Sequence, residues 1–285
     1  MNNTGFWYFG YGSNMALRSL QAKGVTPRES WCARLPGWRL RFNVGHFFRH
    51  EGGVGNIEPA PPGEAATAEV QGVLHHCTGA HDLTRLDEAE AFGHGYDRIL
   101  VTVQCALGPV QALTYVGLPG FLDDSCLPTR RYLNILLAGA EAAGLTPDYI
   151  EQLRRRPVMP PTSAPAFVAP PGLPVYTAAT LTRDPPLTAL DGQVFDMSAA
   201  RARHDFLRGY FGGRDMTLFH LQRMDQSDGR ETLEDVRLQR YRPAQRAYLD
   251  VYLQAYAAEY RHVGRYCPDS PAAETTTPKE QTPHE

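Results

Sequence analysis

A glycine turn near the N-terminus is the clearest candidate for chemistry in this sequence. Residues 7–9 are aromatic, residues 10–14 read GYGSN, and an amphipathic segment with Leu17 and Leu20 follows. A strand that leads through a tight turn into a helix presents free backbone N–H groups, which suit an anion such as a carboxylate. A glycine turn of this kind also occurs as a purely structural connection. The pattern therefore predicts an anion cradle, with a plain turn as the alternative.

A second segment supplies a carboxylate that could move protons. Residues 86–90 read LDEAE and are followed by Gly93. Glu90 ends this helix-like segment beside a glycine, where the backbone can approach a ligand closely. Adjacent helical positions face different directions, so we interpret Glu88 as a surface residue and Asp87 as structural. Taken alone, Glu90 could equally be a solvated glutamate at a helix end.

Several motifs in one order give the N-terminal half a resemblance to the γ-glutamylcyclotransferase family. Residues 8–15, YFGYGSNM, resemble the family loop Y-F-x-Y-G-S-N-[LM], and residues 86–90 resemble its L-D-x-x-E motif. Further similar segments are residues 32–40 (CARLPGWRL), 56–59 (NIEP), 70–74 (VQGVL) and 128–132 (PTRRY). The resemblance covers residues 6–155 and implies a β-barrel with helices.

The resemblance implies an intramolecular reaction. The α-amine of a γ-glutamyl amide attacks its own γ-carbonyl, which closes the lactam 5-oxoproline and releases an amine. Because the nucleophile lies inside the substrate, positioning alone can supply on the order of 7–11 kcal/mol, and no serine, cysteine, water or metal is required. One carboxylate can take a proton from the ammonium and return it to the leaving amine. The resemblance assigns that role to Glu90.

The same resemblance indicates which residues bind the substrate. The loop would hold the α-carboxylate and amine of the glutamyl head through main-chain N–H groups and the Ser13 hydroxyl. Tyr132 corresponds to a substrate-contacting tyrosine, with a core aromatic as the alternative, and Tyr96 and Tyr115 fall near pocket-lining positions. The full expected set is Tyr8, Phe9, Gly10, Tyr11, Gly12, Ser13, Asn14, Tyr96, Tyr115 and Tyr132. Residues 45–51 depart from common members in aromatic and histidine content and are expected to shape the leaving-group side.

Composition divides the chain into four parts. Residues 6–156 alternate β-rich runs with glycine turns, and residues 157–174 are proline-rich and predict a linker. Residues 175–267 predict a second domain with its own core, so that the first domain should stay folded when residues 175–285 are removed. The Thr/Pro/Glu-rich residues 268–285 predict disorder. The fold class is α+β: a γ-glutamylcyclotransferase-like β-barrel with helices, plus a small α+β domain. Helices are expected near 81–91 and 130–142, and strands near 39–42, 70–74, 99–103 and 110–116.

The second domain resembles cytochrome b5-like domains, including those of the membrane-associated progesterone receptor type. The similar segments are residues 176–181, 190–198, 211–217 and 259–265. The haem ligands of these families are not matched. His204 lacks the following Pro-Gly-Gly, the second ligand position falls near Asp225, and the tyrosine position falls on Arg208, with Tyr210 out of register. We therefore expect no cofactor and no haem, and a docking or lid role.

Composition excludes some function classes. The chain has 285 residues and a net charge of −3, so nucleic acid is not an expected partner. No apolar run approaches membrane-spanning length, and the N-terminus lacks the features of a secretion signal. The five scattered cysteines without a CxxC motif suggest reduced thiols and a cytoplasmic location.

The expected partner is a small γ-glutamyl compound whose leaving group the sequence does not specify; a protein could dock on the second domain. Two alternatives remain: a non-catalytic adaptor on the same fold, and a haem-binding redox fusion.

Overall fold

The computed structural model describes residues 5–184 and 186–268. The strands are β1 (Phe6–Gly10), β2 (Glu29–Pro36), β3 (Trp38–Gly45), β4 (Gly53–Pro59), β5 (Glu69–Cys77), β6 (Tyr96–Cys105), β7 (Gly108–Gly117), β8 (Val175–Tyr176), β9 (Leu187–Leu190), β10 (Gln193–Asp196) and β11 (Arg261–Tyr266). The helices are α1 (Leu17–Ala22), α2 (Gly79–Ala89), α3 (Arg130–Ala143), α4 (Pro147–Arg154), α5 (Ala178–Arg183), α6 (Asp205–Phe211), α7 (Thr217–Gln222), α8 (Leu233–Arg237) and α9 (Pro243–Glu259). All the strands and both helices expected in the N-terminal half are confirmed.

Five strands close into a barrel in the order β1-β5-β2-β6-β7. Neighbouring strands are antiparallel, except that β1 and β7 pair in parallel through Tyr8 and Leu113 and so close the barrel. Burial alternates along the strands: on β2, Ala33 and Leu35 are buried and Arg34 is exposed. This period of two places one apolar face inside the barrel. The hairpin β3–β4 forms a separate two-stranded sheet.

Helix α3 is packed closely against the glycine turn. The Thr129 side chain caps α3 by accepting a hydrogen bond from the Tyr132 N–H, 3.1 Å away. Further along α3, Gly139 faces the short 3₁₀ turn Ser13–Met15. A Cβ atom at Gly139 would lie 2.9 Å from the Ala16 nitrogen, so only glycine permits this approach. The helix thereby fixes the position of the turn that follows β1.

The described residues divide into two compact units whose bounds differ from those expected. One unit comprises residues up to Pro165 together with Leu218–Ala255, and the other comprises Ala166–Thr217 and the residues from Tyr256 onward. Residues 157–174 contain no helix or strand, as the sequence predicts. Residues 218–255, however, pack in the first unit, although the sequence division placed them in the second domain. Composition marks where the chain lacks regular structure, but it does not show which distant segments pack together.

The second unit contains a four-stranded sheet in the order β8-β11-β10-β9. Leu181, Leu187, Ala189 and Val194 form its buried apolar cluster. Its resemblance to cytochrome b5-like domains stays a prediction. The predicted disorder of the C-terminal tail falls, apart from residue 268, outside the described residues.

Two further observations concern the chain as a whole. No helix within residues 5–184 and 186–268 is long and apolar enough to cross a membrane. None of the five cysteines, all of them among the described residues, forms a disulfide; Cys77 is buried, whereas Cys32 and Cys267 are exposed.

Gly139→Ala tests how closely α3 is packed on the turn. Alanine inside a helix normally adds about 0.5–1 kcal/mol of stability relative to glycine. At Gly139 the new methyl group would meet the backbone, so we expect a loss of about 1–3 kcal/mol in the free energy of unfolding, measured by urea denaturation. Gly209→Ala in α6 is the control, because no atom lies within 4 Å of its Cβ position. Equal effects at both positions would contradict the packing argument.

A fragment ending at Pro165 tests the division into units. It lacks residues 218–255, so we expect it to be insoluble or to melt at a clearly lower temperature than the full chain. A fragment of residues 1–268, which keeps both units, should melt like the full chain. If the shorter fragment were equally stable, residues 218–255 would contribute nothing to the first unit, and the sequence division would stand.

Candidate active site

One cavity lies where β1 leads into the glycine turn. Its volume is about 300 Å³, including its open mouth. Its lining residues are Tyr8, Tyr11, Gly12, Ser13, Asn14, Gly55, Glu90, Tyr96, Tyr115 and Tyr132. All of these except Gly55 belong to the set expected from the sequence. The structure thus brings the turn and Glu90 together in one cavity.

Phe9 and Gly10 are the two expected residues that do not line the cavity. The Phe9 side chain is fully buried in the barrel core, because strand alternation points it away from the face that carries Tyr8. Gly10 instead lies against the backbone of the turn, where a Cβ atom would be 3.0 Å from the Asn14 carbonyl oxygen. Both residues support the turn without lining the cavity, and their contact with a substrate stays a prediction.

The turn retains unused hydrogen-bond donors. Met15 and Ala16 donate their backbone N–H groups to the carbonyls of Gly12 and Ser13 and so form the 3₁₀ turn. Among the described residues, nothing accepts from the backbone N–H groups of Gly12, Ser13 and Asn14, or bonds to the Ser13 hydroxyl. Neighbouring free N–H groups at a chain reversal form an anion-binding concavity. This geometry can hold a carboxylate.

Glu90 lies at the C-terminal end of α2 and is held through one carboxylate oxygen. Its Oε1 accepts hydrogen bonds from Lys23 Nζ at 2.6 Å and from Asn14 Nδ2 at 2.8 Å. Within the described part of the chain, Oε2 accepts no hydrogen bond. Burial would raise the pKa of Glu90, but the Lys23 charge and the two hydrogen bonds outweigh burial and lower it below the usual value. The carboxylate is therefore ionised at neutral pH, with one oxygen left for a ligand.

Sequence reasoning missed Lys23. Lys23 directly follows α1, its side chain is 12% exposed, and its ammonium group also donates to Asn14 Oδ1 at 2.7 Å. Lys23 thus connects Asn14 of the glycine turn with Glu90, although these two residues are 76 positions apart in the sequence. The sequence offered one indication of its role. Lys23 comes three residues after Leu20, which is fully buried, and this helical spacing directs both side chains to the inward face of α1.

Tyrosines form the remaining wall of the cavity. Tyr96 donates to the Gly55 carbonyl at 2.7 Å, and the Tyr132 hydroxyl accepts from the Gly55 N–H at 3.0 Å. Tyr8 accepts from Asn14 Nδ2 at 2.6 Å. Burial raises the pKa of Tyr8 and Tyr96 well above the usual value, and raises that of Tyr132 to about 12. These hydroxyls are therefore neutral donors and acceptors.

Gly55 is the second lining residue that the sequence did not reveal. A Cβ atom there would lie 3.0 Å from the Tyr132 hydroxyl oxygen. Its backbone N–H and carbonyl each bond to a tyrosine hydroxyl, so Gly55 fixes where these hydroxyls lie. No motif around Gly55 marks it as part of a site.

The two acids beside Glu90 have separate contacts. Asp87 accepts from the Tyr115 hydroxyl at 2.7 Å and pairs with Arg98 at 2.7 Å, so it supports the wall of the cavity from behind. Glu88 is about half exposed and lies 3.5 Å from Arg85. The positions of both residues agree with their interpretation as a structural and a surface residue.

Residues 45–51 pack beside the site without lining the cavity. Glu51 is 2% exposed and accepts hydrogen bonds from Arg131, from Tyr252 at 2.6 Å and from Tyr248 at 3.3 Å. Burial would raise the pKa of Glu51, but the Arg131 charge outweighs it, so the net pKa lies well below the usual value. Glu51 is thus a buried carboxylate satisfied by α3 and α9.

Residues 69–153 match the AIG2-like family model. The chain is 28% identical over 148 residues to γ-glutamyl cyclotransferase gliK of Claviceps purpurea (strain 20.1), covering 50% of this chain and 66% of that protein. It is 25% identical over 170 residues to γ-glutamyl cyclotransferase aclK of Aspergillus oryzae (strain ATCC 42149 / RIB 40), covering 53% and 60%. The chain thus spans less than two thirds of the length of these curated relatives. The N-terminal half of the chain is thus similar to the AIG2-like family model and to these γ-glutamyl cyclotransferases.

Similar solved structures include one described as a γ-glutamyl cyclotransferase. It is 25% identical, has a TM-score of 0.46, and covers 54% of this chain and 89% of that one. Another, from Homo sapiens, is described as an uncharacterized protein; it is also 25% identical, has a TM-score of 0.46, and covers 55% and 90%.

Lys23→Met tests the electrostatics of Glu90. The methionine keeps the length of the side chain but removes its positive charge, so we expect the pKa of Glu90 to rise. Carbon-detected NMR titration of labelled glutamate carboxyls, with Glu90 assigned through a Glu90→Gln variant, measures the change. Arg85→Met is the control, because Arg85 pairs with the exposed Glu88 and should leave Glu90 unchanged. An unaltered Glu90 titration in Lys23→Met would contradict the charge-pairing argument.

Proposed function

We propose that the chain is a γ-glutamyl cyclotransferase that converts a γ-glutamyl amide into 5-oxoproline and a free amine. One observation carries this proposal. An ionised carboxylate with one oxygen unbonded among the described residues shares a cavity with a turn whose backbone N–H groups are also unused. A glutamyl head carries a carboxylate and an ammonium group on one carbon atom. The unused N–H groups suit its carboxylate, and the unbonded carboxylate oxygen suits its ammonium group.

The substrate head is bound by complementary groups. The N–H groups of residues 12–14 and the Ser13 hydroxyl hold the α-carboxylate. The α-ammonium donates to Glu90 Oε2, while Lys23 and Asn14 keep Oε1 in place. Both groups are on the α-carbon, so these contacts fix the amine end of the glutamyl chain. The rest of the chain then folds within the cavity so that the amine lies near its own γ-carbonyl carbon, which is the arrangement from which intramolecular attack is fast.

Two protons pass from the α-nitrogen of the substrate to its leaving nitrogen, and Glu90 carries them in turn. Glu90 takes the first proton from the ammonium group, and the free amine forms a bond to the γ-carbonyl carbon. The bond between that carbon and the leaving nitrogen breaks as Glu90 passes its proton to the leaving nitrogen. Glu90 then moves the second proton from the ring nitrogen to the released amine, which departs as an ammonium ion. Glu90 ends the cycle as a carboxylate, so no other reactant is needed.

Tyrosine hydroxyls are suited to stabilise the charge that develops on the carbonyl oxygen. Tyr8 and Tyr132 each accept one hydrogen bond, from Asn14 and Gly55 respectively. The hydroxyl hydrogen of each has no acceptor among the described residues, so it is available to the substrate. Donors held in place before the reaction stabilise an oxyanion without reorganisation.

The non-catalytic adaptor alternative explains less of the site. A binding module needs no largely buried ion pair beside unused donors, because that arrangement costs desolvation without adding binding surface.

The haem alternative is also weakly supported. His204 Nδ1 lies 2.8 Å from the Tyr260 hydroxyl and Nε2 lies 3.3 Å from Arg201, so both ring nitrogens have protein partners. A visible spectrum of the purified protein without a Soret band would argue against haem.

Glu90→Gln tests the proposed base. The amide keeps the shape of the side chain but cannot accept a proton, so we expect 5-oxoproline formation to fall by about 10²–10⁴-fold. Calorimetry should still detect binding of a γ-glutamyl compound, because the turn holds the carboxylate. A panel of γ-glutamyl amino acids, peptides and amines provides the substrates.

Glu88→Gln is the matched control for this experiment. Glu88 is two residues away, faces solvent and should tolerate the change with near-normal turnover. Retention of most activity by Glu90→Gln, or its loss in Glu88→Gln instead, would show that the base has been assigned wrongly.

A further inference from the structure

A buried histidine lies behind the glycine turn. His75 belongs to β5, is 1% exposed and does not line the cavity. Strand pairing places it between Tyr8 of β1 and Ser30 of β2, so the three residues form a row across neighbouring strands. Residues directly opposite each other on paired strands share a face of the sheet. His75 therefore faces the side of β1 that carries Tyr8, and not the barrel core that holds Phe9.

Both ring nitrogens of His75 have a polar partner. Nε2 lies 2.9 Å from the Asn14 carbonyl oxygen, and Nδ1 lies 2.8 Å from the Ser30 hydroxyl oxygen. A carbonyl oxygen only accepts hydrogen bonds, so Nε2 must carry a hydrogen. Burial lowers the pKa of His75 to about 4, against the smaller effect of the bond to Asn14, so the ring is neutral at neutral pH and Nδ1 accepts from Ser30. The two contacts therefore select one of the two tautomers.

The Asn14 carbonyl depends on this bond. Asn14 is 4% exposed, and within residues 5–184 and 186–268 no backbone N–H donates to its carbonyl oxygen. Gly10 packs against the same oxygen, where a Cβ atom would lie 3.0 Å away. A buried carbonyl without a donor is strongly unfavourable. His75 thus supplies the donor that holds the backbone of the turn at this point.

The side chain of Asn14 carries this constraint into the active site. Its Nδ2 group donates to Tyr8 at 2.6 Å and to Glu90 at 2.8 Å, and its Oδ1 accepts from Lys23 at 2.7 Å. These contacts use both Nδ2 hydrogens, and they orient the carboxylate that the mechanism requires. The unused N–H groups of residues 12–14 belong to the same turn. A shift of the Asn14 backbone would therefore move the anion-binding donors and the base together.

We propose that His75 is a positioning residue for the active site: its Nε2–H group fixes the Asn14 carbonyl, and through it the turn and the orientation of Glu90. Where it concerns turnover, this inference rests on the proposed cyclotransferase function. Where it concerns the pKa of Glu90, it does not, because the bond from Asn14 lowers that pKa whatever reaction follows. Ser30 completes the arrangement by occupying Nδ1, so the hydrogen of the neutral ring stays on the nitrogen that faces the turn.

A pair of amide substitutions tests the inference. In His75→Gln the amide nitrogen can reach the place of Nε2 and donate to Asn14, whereas the shorter side chain of His75→Asn reaches only the place of Nδ1. We expect His75→Asn to raise the pKa of Glu90, measured by carboxyl NMR titration, because the bond from Asn14 that stabilises the carboxylate loosens. It should also lower kcat/KM for the best substrate of the γ-glutamyl panel by about tenfold. His75→Gln should keep the wild-type pKa of Glu90 and stay within about threefold in kcat/KM.

His76→Asn is the control. His76 follows His75 on β5, points to the opposite face and stacks on Trp7, with the ring centres 4.7 Å apart. The change should leave the Glu90 titration and turnover unaltered. If His75 merely filled the core, His75→Asn and His75→Gln would lose thermal stability alike and the pKa of Glu90 would move in neither. That pattern, or an equal shift of the pKa in both variants, overturns the inference.

The wild-type protein provides a test that does not depend on whether these variants fold. Nitrogen NMR distinguishes a ring nitrogen that carries a hydrogen from one that does not. We expect the His75 ring to carry hydrogen on Nε2 and none on Nδ1 at neutral pH. Ser30→Ala, at an exposed position, identifies the Nδ1 signal because it removes the partner of that nitrogen. Hydrogen on Nδ1 alone would overturn the inference, since Nε2 could then not donate to Asn14.

Failure of the proposed function would look different. If the wild type released 5-oxoproline from no γ-glutamyl compound, the cyclotransferase proposal would fail. The Glu90 titration in the two His75 variants would still decide the positioning role. A rise of the pKa in His75→Asn alone supports it, and no rise, or the same rise in both variants, contradicts it.

Discussion

The ion pair between Lys23 and Glu90 places opposite charges 2.6 Å apart in a largely buried position. An isolated carboxylate there would take up a proton rather than bear the cost of desolvation. Lys23 and Asn14 together outweigh that cost and keep Glu90 charged. Both bonds go to Oε1, so the same contacts that ionise the carboxylate also fix its orientation. The glycine turn, α1 and the end of α2 must therefore meet at one point, and the barrel serves to hold β1 and α3 where this meeting occurs.

Close backbone packing is the second constraint. Gly10, Gly55 and Gly139 each stand where a side chain would collide with the turn or with a lining tyrosine. Because glycine stands at these positions, they contribute no side chain that would compete for the N–H groups of residues 12–14 at the cavity. Anion binding by main-chain groups depends on such exposure, because the donors must be unbonded before the ligand arrives.

Residues 218–255 connect the chemistry of the barrel with a part of the chain beyond the proline-rich stretch. Their tyrosines satisfy Glu51, a carboxylate that would be strongly unfavourable without donors. Glu51 in turn pairs with Arg131 next to Tyr132, so groups far along the chain contribute to the wall of the site. The role of the second unit, with its predicted b5-like character, stays a separate question from that of the segment packed on the barrel.

Local pattern determined much of this protein. The loop of residues 10–14, Glu90, and the strands and helices around them follow from turn chemistry, alternation and motif order, which are properties of short stretches of sequence. Phe9 was assigned to the site because a motif does not show which face of a strand each residue occupies. The spacing of Lys23 from Leu20 indicates that Lys23 faces inward, but only the tertiary structure shows which group it meets. Gly55 could be recognised only in the tertiary structure. Lys23 meets Glu90 across 67 residues, and Arg131 meets the Arg223 carbonyl across 92. Contacts of such separation are set by how the barrel closes and which segment packs on it, so a local pattern does not identify the partner.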